Sequence, residues 1–350
     1  MKKILSSKLI WVVVAVLAFS IILAGCGQEN RVTLKVYNWG EYMDKSVIDD
    51  FEKEYGIRVI YTTYATNEDM YVSMKHGGSN YDVAFPSDYM ISRMINEDML
   101  HKIDISNIPN YKYIDDTFKN LPFDPDNEYS VPYMWGTLGI VYNKTMVDDP
   151  VEGWDILWNE KYSKQILMLD SQRDSIGLTL QMLGYSMNSR NIDELEKAKE
   201  KLMEQKSLVL AYVGDEVKDK MVGGEAALAV VWSGDAVAMK WENPDLEYVL
   251  PKEGGNLWFD SAVIPKTSQH KEEAELFINY LCETEIALRN TEYIGYSTPH
   301  TEAMKMLDEE LLSDSTAYPS DEEIADSEVF EDLSDTLDVY NRIWTEIKAK

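Results

Sequence analysis

The chain has 350 residues, with 62 Asp and Glu against 33 Lys and Arg, giving a formal net charge of −29. So acidic a surface is a poor partner for nucleic acid, because phosphates are bound by basic groups that release counterions. It favours a cationic ligand, although acid also serves solubility. The length exceeds the ~250–300 residues that one hydrophobic core usually organises and favours two domains.

At the start, Lys2, Lys3 and Lys8 precede an uncharged run from Leu9 to Gly25. A basic segment, an apolar segment and small residues before a cleavage point read as an export signal. As a transmembrane helix the run sits at the short end of the roughly 17–25 residues needed to span a bilayer, which makes insertion the weaker reading. The tetrapeptide Leu23-Ala24-Gly25-Cys26 resembles the bacterial lipobox, in which the cysteine becomes the lipidated first residue. That resemblance implies a lipoprotein signal peptide over residues 1–25 and an extracytoplasmic protein tethered to the cell membrane through Cys26. Only Cys282 then remains, so no disulfide framework is expected. In "KEEAELFINYLCE", Ala274, Phe277, Ile278 and Leu281 recur at helical spacing, which makes Cys282 a packed small hydrophobe rather than a catalytic thiol.

Beyond the leader, short apolar runs alternate with amphipathic stretches, the pattern of α/β layers. "VTLKVYNW" predicts a first strand. "KSVIDDFEKEYG" predicts a helix with Val47, Ile48, Phe51 and Tyr55 on one stripe, ending at Gly56. "RVIYTTY" and "YDVAFP" predict the next two strands. No repeat, low-complexity tract or Pro/Gly-rich linker separates two domains, so compact strands must connect them. In "VEGWDILWNEKY", Trp154 and Trp158 stand four apart, as neighbours on one helical turn, and read as packing.

Trp39 and Glu41 stand two apart in "YNWGEYM", with Tyr42 beside them, at the end of the first predicted strand. "FPSDYM" offers Ser87, Asp88 and Tyr89 at the end of the third. Trp258 and Asp260 repeat the pairing in "GGNLWFDSAVIPK", where alternation puts both side chains on one face of a strand. Each cluster alone is explained by core filling and strand-end turn chemistry. Together they fit a cation site, in which indole faces attract an ammonium and carboxylates neutralise it. The ends of strands are also where open α/β sheets bind ligands.

These motifs, with "VPYMWGTLGIVYN", "ILMLDSQRDSIG", "ALAVVWSGDAVAM" and "YIGYSTPH", occur in an order and spacing that resembles the spermidine/putrescine-binding proteins of bacterial ABC importers, over essentially the whole chain after the leader. The resemblance implies a two-lobed periplasmic-binding-protein-like α/β fold of type II, with its lobes joined by crossing strands. Residues 30–136 plus 260–304 would form the first lobe and 137–259 plus 305–350 the second. "VPYMWGTLGIVYN" and "NLWFDSAVIPK" would be the crossings. The implied ligand-binding residues are Trp39, Glu41, Tyr42, Ser87, Tyr89, Asp174, Trp232, Trp258, Asp260, Tyr296 and Glu331. Where the family has two acids three apart, this sequence has Ser171 and Asp174, with Asp170 one residue early; Asp170 and Ser171 are further candidates. The implied partners are a polyamine, an ABC permease with a separate ATPase, and the membrane through the lipid anchor, with no cofactor and no metal.

Enzymatic motifs are thin. His76, His101, His270 and His300 are scattered, without zinc-ligand spacing, and no Gly-x-Ser-x-Gly elbow or Walker loop occurs. The alternatives are a choline- or betaine-type cation receptor and, less favoured, a glycosidase using a carboxylate pair.

Overall fold

The structure is a computed structural model that describes residues 31–76 and 80–349. The export signal and Cys26 lie outside the described residues. Among the described residues nine strands follow one another: β1 (Thr33–Trp39), β2 (Arg58–Tyr64), β3 (Val83–Ala84), β4 (Ser130–Asn143), β5 (Ile166–Leu169), β6 (Val209–Val213), β7 (Leu228–Trp232), β8 (Leu246–Val249) and β9 (Leu257–Val263). Their lateral order is β2-β1-β3-β9-β4-β7-β5-β6, with β8 pairing β4 off this path.

The 14-residue strand β4 holds the two halves of this array together. Its first half, from Ser130 to Thr137, runs antiparallel to β9, with an irregularity between Pro132 and Met134. Its second half, from Leu138 onward, runs antiparallel to β7 and to β8. Each half belongs to its own hydrophobic core. Val131 and Met134 pack with Leu34, Phe51 and Phe277, whereas Leu138 and Ile140 pack with Leu157, Ile176 and Tyr340. The molecule is thus a mixed α/β protein of two lobes.

The elements around the first core follow their sequence signals. Helix Lys45–Tyr55 starts at Asp44, whose carboxylate accepts from the Ser46 N–H, buries Val47, Ile48 and Phe51, and stops at Gly56 in left-handed backbone. Strands β1 and β2 pair in parallel through seven residues. The third strand is shorter than the sequence predicts. Pro86 has no N–H to continue the ladder, and only Val83 and Ala84 are paired. Cys282 caps helix Lys271–Leu281 and is buried among the apolar side chains of that core.

Trp154 and Trp158 do share a helical turn, but it is a 3-10 turn over Trp154–Trp158. Their indole N–H groups donate to the carbonyls of Gly254 and Lys201 at 2.9 and 2.8 Å, and both rings pack against the second core. Among the described residues no helix is long and apolar enough to cross a membrane.

Candidate functional site

The candidate residues gather where the two cores meet, at the ends of β1, β3 and β7 and along β9. Trp39, the last residue of β1, donates its indole N–H to the Phe85 carbonyl at 2.9 Å and leans on Tyr64 with ring centroids 4.6 Å apart. The chain then turns sharply, with Glu41 at φ 49°, and sinks Tyr42 into the first core. The Tyr42 ring meets Tyr296 edge-on at 5.5 Å, and Tyr296 meets Trp258 at 5.1 Å. Trp232, the last residue of β7, packs against both cores. The rings form a continuous aromatic row where the two cores meet, the line of the candidate passage.

Asp260 stands in the middle of this passage. Alternation along β9 places it on the same face as Trp258, and an isolated bridge joins its backbone to Ser87. It is buried, and its Oδ1 accepts no hydrogen bond from any described residue. Burial pushes its carboxyl up to about 7, with the neighbouring Ser87 and Tyr42 hydroxyls offsetting part of the rise. The Tyr42 hydroxyl lies beside it but outside hydrogen-bond geometry. A solitary buried carboxylate is costly unless a cation joins it.

A second acidic position lies further along. Ser171 caps helix Gln172–Met182 and donates its hydroxyl to Asp174 Oδ2 at 2.5 Å. Asp174 Oδ1 is buried without a hydrogen-bond partner among the described residues. Burial pushes Asp174 up to about 6, with the Ser171 hydroxyl and the Arg173 guanidinium opposing and the Glu68 carboxylate adding to the rise. Glu68 accepts from the Tyr89 hydroxyl at 3.0 Å. Neighbouring Asn67 donates to the Ser87 hydroxyl at 3.0 Å, which ties this end of the passage to Asp260. Tyr89 also meets Phe330 edge-on at 5.9 Å and lies under the Arg173 guanidinium at 4.9 Å.

Asp235, in the first turn of helix Ser233–Glu242, marks the opposite end beside Tyr296. Burial pushes it up to about 6, and the nearby Lys218 ammonium opposes the rise. Gly234 makes the approach of Tyr296 possible, since a Cβ there would lie 1.5 Å from the ring's Cδ1. Gly234→Ala is therefore expected to displace Tyr296 and to destabilise the fold by roughly 1–3 kcal/mol. Thermal unfolding checks this, and an unchanged midpoint would argue against the contact.

Two sequence-predicted residues are not brought into the passage. The Glu331 carboxylate sits 3.0 Å from Arg190 with its side chain 60% exposed; its backbone faces inward, the carbonyl accepting from Arg173 and the N–H donating to Asn188 Oδ1. Asp170 pairs with Lys348 at 2.9 Å on the outer surface. Ser171 enters only through its hydrogen bond to Asp174.

A family model described as bacterial extracellular solute-binding protein matches residues 46–320. The chain belongs to that family. Among curated relatives of this solute-binding protein, the spermidine/putrescine-binding periplasmic protein of Escherichia coli is 36% identical over 95% of this chain and 96% of its own. The putrescine-binding periplasmic protein of Pseudomonas aeruginosa is 32% identical over 93% and 95%. Among solved structures, a putative spermidine/putrescine ABC transporter protein from Listeria monocytogenes superposes with a TM-score of 0.88 at 46% identity, covering 90% of this chain and 98% of its own. The spermidine/putrescine ABC transporter substrate-binding protein of Streptococcus pneumoniae gives 0.78 at 43% identity, covering 91% and 99%.

The sequence reading of this solute-binding protein missed several polar residues of the passage. Glu68 follows the end of β2, a strand-end position of the same kind as Trp39 and Ser87, and that signal could have found it. Asp235 lies three residues beyond Trp232 at a helix start, where its carboxylate is stabilised by the helix dipole, so it reads as a helix signal. Asp88 was visible in "FPSDYM", but both of its carboxylate oxygens accept backbone N–H groups, from Tyr89 at 2.6 Å and Phe259 at 3.0 Å. It fastens β9 to the Ser87 turn.

Proposed function

We propose that this solute-binding protein captures a polyamine, spermidine or putrescine, between its lobes and delivers it to an ABC permease driven by a separate ATPase, performing no chemistry itself. One observation carries the reading. Asp260 and Asp174 are buried carboxylates, each with an oxygen lacking a hydrogen bond from any described residue, in a passage walled by aromatic rings. A chain of methylenes between ammonium groups suits this arrangement, because the rings cover the stem while each carboxylate takes one charge. The names of the relatives support the same ligand class. A quaternary ammonium such as choline would neutralise one carboxylate and leave the others unpaired, and so fits less well.

In this reading Trp39, Trp232, Trp258 and Tyr296 hold the stem, and Asp260 and Asp174 each take one ammonium. Residues 30–136 with 260–304 form one lobe and 137–259 with 305–350 the other, a division the two cores follow except at Trp258, which packs in the first, while Met187 and Phe330 pack with first-lobe residues where the lobes meet. Cys26 carries the lipid that keeps the protein at the outer face of the cell membrane.

Isothermal titration of the chain from Gly27 onward with spermidine, putrescine, choline and maltotriose tests the proposal. Saturable one-to-one heat with a polyamine alone is expected. Silence with both polyamines, or heat with choline or the sugar instead, would overturn it.

A further inference from the structure

The passage offers acid at three successive places. Asp235 stands beside Tyr296; Tyr296 leads to Asp260 through the contacts with Tyr42 and Trp258; and the Ser87–Asn67 hydrogen bond leads on to Glu68 and Asp174. The middle place and the Asp174 end each keep a carboxylate oxygen without a hydrogen bond from the described residues. The Asp235 end already has a cation of the chain within ion-pair distance of its carboxylates, whereas Arg173 acts on Asp174 without pairing to it. Lys218, on helix Val217–Val222, puts its Nζ 2.6 Å from Glu41 Oε2 and 3.6 Å from Asp235 Oδ1. Asp215 closes the same corner, since a Cβ at Gly40 would lie 2.7 Å from its Oδ2.

Resting on the polyamine reading above, we propose that Lys218 is a built-in cation of the cleft. Its tethered ammonium occupies the place between Glu41 and Asp235, so that the receptor prefers a diamine, held by Asp260 and Asp174, to a triamine.

The electrostatics of the corner agree. Burial alone would lower Lys218, but Asp235, Glu41 and Asp215 outweigh it and raise the ammonium above the usual lysine range, so it stays charged. A third ligand ammonium entering here would meet that charge or have to expel it, and both cost affinity that a diamine keeps. The Lys218 side chain is 25% exposed and Glu41 is 65% exposed. The pair can therefore be altered without opening either core. Because Glu41 follows β1 and Lys218 follows β6, the same pair also ties the two halves of the sheet array together across the cleft.

Titration calorimetry of the wild-type chain, Lys218→Met and Lys218→Arg with putrescine and spermidine tests the assignment. Methionine keeps the apolar stem and removes the charge. Lys218→Met is expected to raise the spermidine-to-putrescine affinity ratio by about tenfold, because Glu41 and Asp235 become available to the third ammonium. Lys218→Arg keeps the charge and should leave the wild-type ratio in place. An unchanged ratio in Lys218→Met, with both amines still bound, would overturn the role of Lys218 alone. Failure of all three proteins to bind either amine would instead overturn the polyamine reading, and the selectivity with it.

Discussion

Asp260→Asn is expected to weaken polyamine binding at least about a hundredfold, since removing one partner of a buried ion pair costs roughly 3–5 kcal/mol. The same substitution should stabilise the empty protein. Burial raises the Asp260 carboxyl from 3.8 to about 7, so the folded state resists the charge that the unfolded state accepts. The resulting cost is absent below pH 3.8, grows as pH rises and is complete above about 7. At pH 8 it is on the order of 4 kcal/mol before local relaxation, and asparagine does not incur it. Thermal unfolding without ligand at pH 8 should show a higher midpoint for Asp260→Asn than for wild type. Asp326→Asn, at an exposed carboxylate, should change neither quantity. A lower midpoint together with retained affinity would contradict the site.

Affinity should also climb steeply with pH. Two carboxyls that the polyamine reading assigns to ammonium groups are raised by burial, Asp260 to about 7 and Asp174 to about 6. Each must lose its proton when a cation takes its place. Between pH 5 and 8 the affinity is therefore expected to rise on the order of a thousandfold, with about a hundredfold from Asp260 and tenfold from Asp174. The amines stay charged over this range, since alkylammonium groups titrate near ~10.4. Two further carboxyls along the passage are also raised by burial. Asp88, raised by burial to about 8, is held by two backbone N–H groups, and Asp235 faces Lys218. Titrations in buffers of different ionisation enthalpy would count the protons released. A flat profile with no proton release would mean that neither carboxylate meets the ligand.

Much of the fold was legible because its signals are local. Asp44 and Gly56 bracket a helix whose stripe is visible in the letters, and the seven-residue pairing of β1 with β2 follows two β-branched and aromatic runs. The site was legible where an aromatic and an acid share a strand face, as with Trp258 and Asp260. Glu331 and Asp170 read as acids near the right place because sequence carries no record of which way a side chain turns. Arg190 and Lys348, distant in the chain, draw them outward. Lys218 was silent for the complementary reason. A lysine in "DEVKDKM" looks like a solvated helix face until tertiary packing sets it against Glu41, 177 residues earlier.

Strand β4 pairs with β9 along its first half and with β7 and β8 along its second, without leaving the ladder between Thr137 and Leu138. The junction of the two lobes is thus a stretch of regular sheet, stiffer than a connecting loop. Stripping β4 from either core in denaturant would pull a strand out of the other, so the halves melt together in a single cooperative event. The slowest amides to exchange with deuterium are expected at that seam, which should open only with the whole molecule.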